Sequence, residues 1–367
     1  MQFRAAVLHE VGAPLAIERV TMTGLRRGDV LVRLRASGLC HTDLEVIQGS
    51  LAYPMPIVLG HEGAGVVEAV GEGVTHVTPG DHVVCSWNPH CGHCFYCERD
   101  LPILCEPFIR NQPQGRLLDG ESRYRLDGKP LHHFSVVSSH AEYCVVPESG
   151  AIRVPKEIPF DRACLIGCGV MTGVGAVARL AKVEAGASVV VIGCGAVGLN
   201  AVQGAVIQRA GAIFAVDTDP AKLSMAKQFG ATHGLAAGAG ALAEIKSATA
   251  GRGADYVFEC AGVDHTLQFM LDALRPGGQA VILGKTNVGK QVSLRWGSMM
   301  GERRIVRSSY GGARPRRDFP WLAQLYLEGQ LKLDELITCR LKLEDINTGF
   351  DAMTRGELVR AVVEIPA

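Results

Sequence analysis

Val189-Val190-Val191-Ile192-Gly193-Cys194-Gly195-Ala196-Val197-Gly198 decides the fold of this chain. A short β-branched run ends in glycine and passes into a small-residue stretch, Ala196–Ala210, that reads as a helix. A G-x-G-x-x-G turn that follows a strand and opens a helix is built to hold a dinucleotide. Gly193 permits the tight turn, Gly195 lets the backbone approach a pyrophosphate, and Gly198 lets helix and strand pack closely, with Ala196 and Val197 at the helix start. The helix N-terminus offers free N–H groups and the positive end of its dipole to the phosphates. The next strand, Ile213–Asp217, ends in Asp217, 24 residues after Gly193. A carboxylate there accepts both ribose hydroxyls and repels a 2′-phosphate. Thr218, Asp219 and Pro220 follow, with no arginine to receive a phosphate, so NAD is expected rather than NADP.

Outward from this unit the strand–helix alternation continues. Pro220–Phe229 reads as a helix, Tyr256–Cys260 and Gln279–Gly284 as strands, and Thr266–Leu274 as a helix. Strands alternating with helices imply βαβ units and a parallel sheet. The first 150 residues have another texture, with β-branched runs at Val30–Leu34, Gly65–Ala69, His82–Cys85 and Ala141–Val146 punctuated by Gly, Pro and Asp. After about residue 310 the chain is mixed again and ends in the strand-like Val359–Ile365. That tail is too short for a domain and is expected to pack back on the first, which makes the parallel-sheet domain an insertion. From Phe108 to His140 no clear periodicity is visible, and the stretch reads as a long irregular loop, solvated or functional, carrying Arg116, Arg123, Arg125, Lys129, His132 and His133.

The bulk composition narrows the class of function. The 367 residues are 47% apolar, enough for two cores, and 37 basic residues balance 37 acidic ones. Nucleic acid and anionic membrane both need a basic face, so neither is expected as a partner. The chain starts MQFRAAVLHEVGAP without a charged-then-apolar leader, and the longest apolar stretch, Ala187–Leu199, is short and glycine-rich. A soluble, cytoplasmic protein is expected.

In such a protein clustered cysteines serve metals or chemistry more often than disulfides. Four of the twelve fall together as Cys91-Gly-His-Cys94-Phe-Tyr-Cys97 and Cys105. This C-x2-C-x2-C-x7-C spacing closes a tetrahedron on zinc, and four protein ligands leave no open position, so the site is structural. An iron–sulfur cluster is the competing reading. Three further fragments carry metal-ligand types but lie far apart: Cys40-His41-Thr42-Asp43, Gly60-His61-Glu62 and Gly167-Cys168-Gly169. Cys40, His61 and Cys168 would make a three-ligand set open to water or substrate. Spacing does not select them, and by residue type alone each is more readily a buried cysteine or a hydrogen-bonded core histidine.

Taken together these motifs resemble the zinc-dependent, medium-chain alcohol dehydrogenase family. The likeness is strongest to its long-loop branch, which holds the animal liver and glutathione-dependent formaldehyde enzymes. It runs over nearly the whole chain: Gly38-Leu-Cys-His-Thr-Asp43, Gly60-His-Glu-Gly63, the cysteine lobe, Asp119-Gly-Glu-Ser-Arg123, Gly128-Lys-Pro-Leu-His-His-Phe134, Leu165-Ile-Gly-Cys-Gly169 with Thr172-Gly173, and Gly193–Asp217. The resemblance implies an α/β chain in which a doubly wound Rossmann domain, residues 170–309, is inserted after a β-rich GroES-like catalytic domain, residues 1–169 and 310–367, whose zinc lobe spans 91–105. It implies two zincs per chain, NAD and a homodimer. Cys40, His61 and Cys168 would bind the catalytic zinc, with Asp43 and Glu62 as carboxylates orienting the site. Thr42 matches the hydroxyl that accepts the alcohol proton. His41 and Arg360 match positions that reach the cofactor pyrophosphate, and Lys222 one that flanks the adenine ribose.

The implied activity is reversible hydride transfer between a primary aliphatic or aromatic alcohol and NAD, with a thiol-adduct formaldehyde dehydrogenase and a catalytically inert homologue as alternatives. Departures from the pattern bear on that choice. Glu45 stands where many long-loop relatives have the histidine that ends the proton relay. Leu51, Trp87, Arg110, Phe134 and Ser135 fall on pocket-lining positions, with Trp87 bulky and Arg110 unexpectedly charged. Ile109 occupies the position where the glutathione-using branch has an arginine, and Lys285 is charged where relatives are apolar.

Overall fold

The computed structural model describes residues 1–286 and 289–366. The chain divides into two compact units, Met1–Cys168 with Arg314–Ala367, and Gly169–Ala313.

The first unit is built from strands. Gln2–Leu8, Ala16–Met22, Tyr124–Leu126, Lys129–His133 and Ile57–Val58 close into a small barrel. A second sheet orders Ala151–Arg153, His82–Cys85, Glu62–Val70, Asp29–Gly38, Arg360–Glu364 and Ile337–Leu341, with Tyr143–Pro147 also paired to Asp29–Gly38. Asp29–Gly38 is its spine: it pairs antiparallel with Glu62–Val70, with Tyr143–Pro147 and with the C-terminal strand. Val30, Val32 and Leu34 recur at the two-residue period of a strand and enter one core with Val67, Val83, Val146 and Val363. A second cluster around Phe3, Val20, Phe108, Tyr124 and Val145 packs against three of the lobe cysteines.

The stretch Phe108–His140 is more ordered than its lack of periodicity implies. It holds the end of a short helix, Glu106–Asn111, and a hairpin of Tyr124–Leu126 with Lys129–His133. The hairpin turns on Asp127 and Gly128, both at positive φ (49° and 77°). Asp-Gly between strands is a strong hairpin signal, hidden here because each strand is only a few residues long. Nor is the segment merely solvated: Arg123 is 2% exposed and His133 is fully buried. Arg123 grips Asp29 at 2.6 Å and Asp119 at 2.7 Å, which compensates its charge.

The second unit is a six-stranded parallel sheet in the order His233–Ala236, Ala212–Asp217, Ser188–Ile192, Ala254–Glu259, Leu274–Ile282, Arg304–Arg307. Counted along the chain this is 3-2-1-4-5-6, the doubly wound dinucleotide-binding arrangement. Val189, Val190 and Val191 are wholly buried, as a strand covered on both faces requires.

The longest apolar helical segment is not Ala187–Leu199, which the structure divides into strand, turn and helix, but Phe160–Ala181. Its 22 residues are long and apolar enough to cross a membrane by length and composition, yet 78% of its most apolar window is buried, the condition of a core helix. It is not uniform: α-turns at Phe160–Leu165 and Met171–Gly175 alternate with wider π-turns at Ile166–Val170 and Ala176–Ala181. Cys168 lies in the first of the wide turns. Such turns concentrate at functional positions because they re-aim one side chain.

Candidate functional site

The glycine turn has the geometry its spacing predicts. Gly193 adopts φ 88°, and a methyl group on Gly198 would stand 1.8 Å from the Gly193 carbonyl oxygen. Around Gly195 an added methyl meets nothing within 4 Å. The helix Ala196–Ile207 therefore begins beside open space, the room a pyrophosphate needs. Asp217 ties the turn to the next strand: one carboxylate oxygen accepts the Cys194 N–H at 2.7 Å and the other the Asp219 N–H at 3.0 Å. A carboxylate has about four acceptor sites, so capacity for ribose hydroxyls remains. Ala196 and Val197 occupy the first helical turn, and Lys222 lies exposed on the helix Pro220–Gln228.

In the cysteine lobe all four Sγ atoms lie within 4.8 Å of one another. Cys91 and Cys97 are 4.0 Å apart, and Cys94 and Cys97 are 3.5 Å apart. Four thiolates at tetrahedral zinc distances stand about 3.8 Å from each other. The spacing thus fits one ion at the centre, whereas a cluster of several irons would hold its ligands further apart. The backbone also prepares thiolates: burial pushes the Cys94 thiol up, but N–H groups of Glu106 and Cys97 outweigh it and bring it down to about 6.

Cys40, His61, Glu62 and Cys168, distant in sequence, bring their ligand atoms within 4.8 Å of one another. Each arrives on a different element. Cys40 caps the helix His41–Ile47, His61 immediately precedes the strand Glu62–Val70, and Cys168 sits in the wide turn of the long helix. His61 is 3% exposed, and its Nδ1 lies 3.3 Å from the Asp43 carboxylate, which leaves Nε2 for the cluster. Asp43, fully buried, also accepts N–H bonds from Gly60 (2.9 Å) and Cys40 (3.2 Å). Contact with Cys168 holds the Cys40 thiol well below its usual range against the opposing effect of burial, with His61 and Arg360 adding to the fall. A set of two sulfurs, one imidazole and one carboxylate suits zinc, and its thiolate is prepared.

Arg360 is 6% exposed and donates to the Leu39 carbonyl (3.0 Å), while its other nitrogen lies 3.1 Å from Glu62 Oε1. It is therefore no surface charge; the structure places it behind Glu62. Burial pushes the Glu62 carboxyl up to about 7, with the Arg360 charge pulling it the other way.

Next to the cluster, Thr42 Oγ1 lies 3.8 Å from Cys40 Sγ. Glu45 follows Thr42 by three residues on the same helix, hence on the same face, and is half-buried. His41 is exposed at the helix start. Among the pocket candidates, Leu51 and Trp87 pack with Tyr53 and Met55 on the core that contains Phe134. The Phe134 ring meets Tyr53 at 5.0 Å and His61 at 5.5 Å, both edge-on, and Ser135 is buried beside it. Arg110 lies exposed on the helix Glu106–Asn111, as does Ile109. Lys285 is exposed beyond the strand Leu274–Ile282. Sequence reading missed three buried groups behind Asp43, namely Ser37, Ser139 and His140. They lie on segments about a hundred residues apart and carry no shared motif.

Residues 26–156 match the alcohol dehydrogenase GroES-like domain, and residues 196–328 match the zinc-binding dehydrogenase domain. The chain is 41% identical to the alcohol dehydrogenase class-3 of Cereibacter sphaeroides, covering 99% of this chain and all of that one. It is likewise 41% identical to the S-(hydroxymethyl)glutathione dehydrogenase of Paracoccus denitrificans, over 99% of this chain and all of that one. Among solved structures, the benzyl alcohol dehydrogenase of Acinetobacter calcoaceticus superposes with a TM-score of 0.94 at 31% identity, with full coverage of both chains.

Proposed function

The chain belongs to the zinc-dependent, medium-chain alcohol dehydrogenase family, and from that premise we propose that it is an NAD-dependent dehydrogenase of S-hydroxymethyl thiol adducts, the form in which a thiol captures formaldehyde. The full-length likeness to the class-3 and S-(hydroxymethyl)glutathione enzymes carries this reading. Cys40, His61 and Cys168, with Glu62 beside them, would hold the catalytic zinc; Cys91, Cys94, Cys97 and Cys105 would hold a structural one; Gly193–Gly198 and Asp217 would hold NAD. When bound, zinc supplies a Lewis acid that makes a hydroxyl acidic near neutral pH, and the nicotinamide supplies the hydride acceptor. Thr42, whose Oγ1 lies beside Cys40, would take the hydroxyl proton, and Glu45 or solvent would take it onward. Asp43 orients the His61 ring through Nδ1, and Arg360 holds the Glu62 carboxylate beside the metal ligands. Lys222, His41 and Arg360 are proposed to serve the cofactor, and a homodimer is the proposed assembly.

A second reading, oxidation of plain primary or aromatic alcohols, is favoured by the apolar cluster of Leu51, Tyr53, Trp87 and Phe134, whose Phe134 ring meets His61, and by Ile109 in place of an arginine. Steady-state kcat/KM with NAD, comparing formaldehyde plus glutathione with benzyl alcohol and octanol, decides between them. A preference for the thiol adduct of tenfold or more is expected; activity on formaldehyde that is indifferent to thiol would overturn the first reading. An inert homologue is excluded by turnover of any of these substrates.

A further inference from the structure

His140 is a fully buried histidine to which the proposed reaction gives no task. Its backbone is pinned on both sides: its N–H donates to the Leu59 carbonyl at 3.0 Å, and its carbonyl accepts from Ala6 N at 2.8 Å. The ring is wholly buried and packs edge-on against Phe350 at 5.9 Å. Its Nδ1 lies 2.9 Å from Ser37 Oγ, and Ser37 Oγ lies 2.7 Å from Ser139 Oγ. Among the described residues its Nε2 has no hydrogen-bond partner; it faces the Asp43 carboxylate, 3.9 Å from Oδ1.

A neutral imidazole has one N–H and one lone pair, and the two hydroxyls choose between the tautomers. If Ser139 donates to Ser37 and Ser37 donates to Nδ1, the proton resides on Nε2 and points at Asp43. The opposite tautomer would aim a lone pair at a fully buried carboxylate, where weak screening makes the repulsion costly. Burial also keeps the ring neutral, pushing its pKa down to about 4, so the contact is dipole to carboxylate rather than ion to ion. Asp43 already accepts from Gly60 N and Cys40 N and faces His61 Nδ1. A further N–H dipole aimed at it helps to fix the carboxylate in the position from which it holds His61 Nδ1 and leaves Nε2 for the cluster.

We propose that His140, set in its Nε2–H tautomer by Ser37 and Ser139, is a positioning residue that holds Asp43, and through it His61, ready for the metal. This rests on the assignment of Cys40, His61 and Cys168 as zinc ligands. It adds a third tier to the site, drawn from residues 37, 139 and 140.

Zinc affinity, measured on the full chain by competition with a chromophoric chelator, tests it. The Cys40→Ala variant identifies which of the two zincs belongs to this site, and the four-cysteine zinc serves as the internal reference for a folded chain. His140→Phe keeps a ring and removes the N–H. It is expected to weaken the Cys40/His61/Cys168 zinc by about ten- to a hundredfold, the range for loss of a group that supports a metal ligand, while the other zinc is unaffected. His140→Gln retains a side-chain N–H and is expected to recover most of that loss. Wild-type affinity in His140→Phe, or equal loss in both variants, would overturn the inference. Should His140→Phe fail to fold, Ser37→Ala, which frees the tautomer, is expected to weaken the same zinc several-fold, and an unchanged affinity overturns the inference. A wild-type chain with no zinc on Cys40, His61 and Cys168 would remove the functional reading and this inference together; unchanged affinity in the variants removes the inference alone.

Discussion

Arg360 and Glu62 form a largely buried ion pair: the guanidinium lies 3.1 Å from Oε1, and the side chains are 7% and 0% exposed. Removing one partner strands a charge in a medium that cannot solvate it. Arg360→Leu is therefore expected to destabilise the first unit by about 3–5 kcal/mol, read as a lowered urea midpoint. The Glu62→Leu/Arg360→Leu double variant removes both charges and is expected to recover most of that loss. A double variant as unstable as the single one would show that packing, not charge compensation, holds this region.

His133 makes stability depend on pH. Burial pushes its pKa down to about 3, with the Arg123 charge adding to the fall, and its Nε2 accepts the Arg123 backbone N–H at 3.1 Å. The unfolded chain binds a proton near pH 6.5 and the folded chain does not. The contribution is therefore fully present above pH 6.5 and is lost as pH falls toward 3, at about 1.4 kcal/mol per pH unit. Unfolding free energies measured between pH 7 and 5 are expected to fall more steeply for the wild type than for His133→Gln. Parallel slopes would rule the histidine out.

Two glycines of the dinucleotide turn should respond differently to the same methyl group. At Gly198 the methyl meets the Gly193 carbonyl at 1.8 Å, so backbone must move. Gly198→Ala is expected to cost about 1–3 kcal/mol of stability as well as NAD affinity. At Gly195 the methyl enters open space. Gly195→Ala is expected to keep the wild-type melting temperature and lose only NAD affinity, measured by fluorescence titration. Unimpaired NAD binding in Gly195→Ala would place the pyrophosphate elsewhere.

The two metal sites should separate by what their loss does. Cys40→Ala is expected to leave one zinc per chain, a folded protein and no turnover. Cys97→Ala is expected to leave the lobe 91–105 unfolded and sensitive to protease, because a structural zinc contributes folding free energy directly. Two zincs retained in Cys40→Ala would refute the catalytic ligand set.

The proton path can be cut at its first member. Thr42→Val keeps the shape of the side chain and removes the hydroxyl beside Cys40. A fall in kcat of about a hundredfold or more is expected with zinc content unchanged. Glu45→Gln is expected to alter the pH dependence of kcat, and an unaltered profile assigns the onward step to solvent.

Legibility of the sequence followed the range of the interactions. The glycine turn, Asp217 and the lobe cysteines each depend on residues a few positions apart or on one strand–helix–strand unit, so spacing alone reports their geometry. The Asp127-Gly128 hairpin was equally local, but its strands of three and five residues are too short to show a period. Cys40, His61 and Cys168 were identified through resemblance, since nothing in their spacing joins them.

By itself, then, the sequence determined the parallel-sheet unit with its dinucleotide turn and the four-cysteine lobe, because local backbone geometry and ligand spacing are properties of short segments. Tertiary structure brought the distant cysteines and histidine together, and it alone decided that Arg360 pairs with Glu62 and that His140 faces Asp43. Burial and charge compensation are set by what the fold packs around a side chain, and the residues that do so here are distant along the chain, Arg360 from Glu62 and His140 from Asp43 among them.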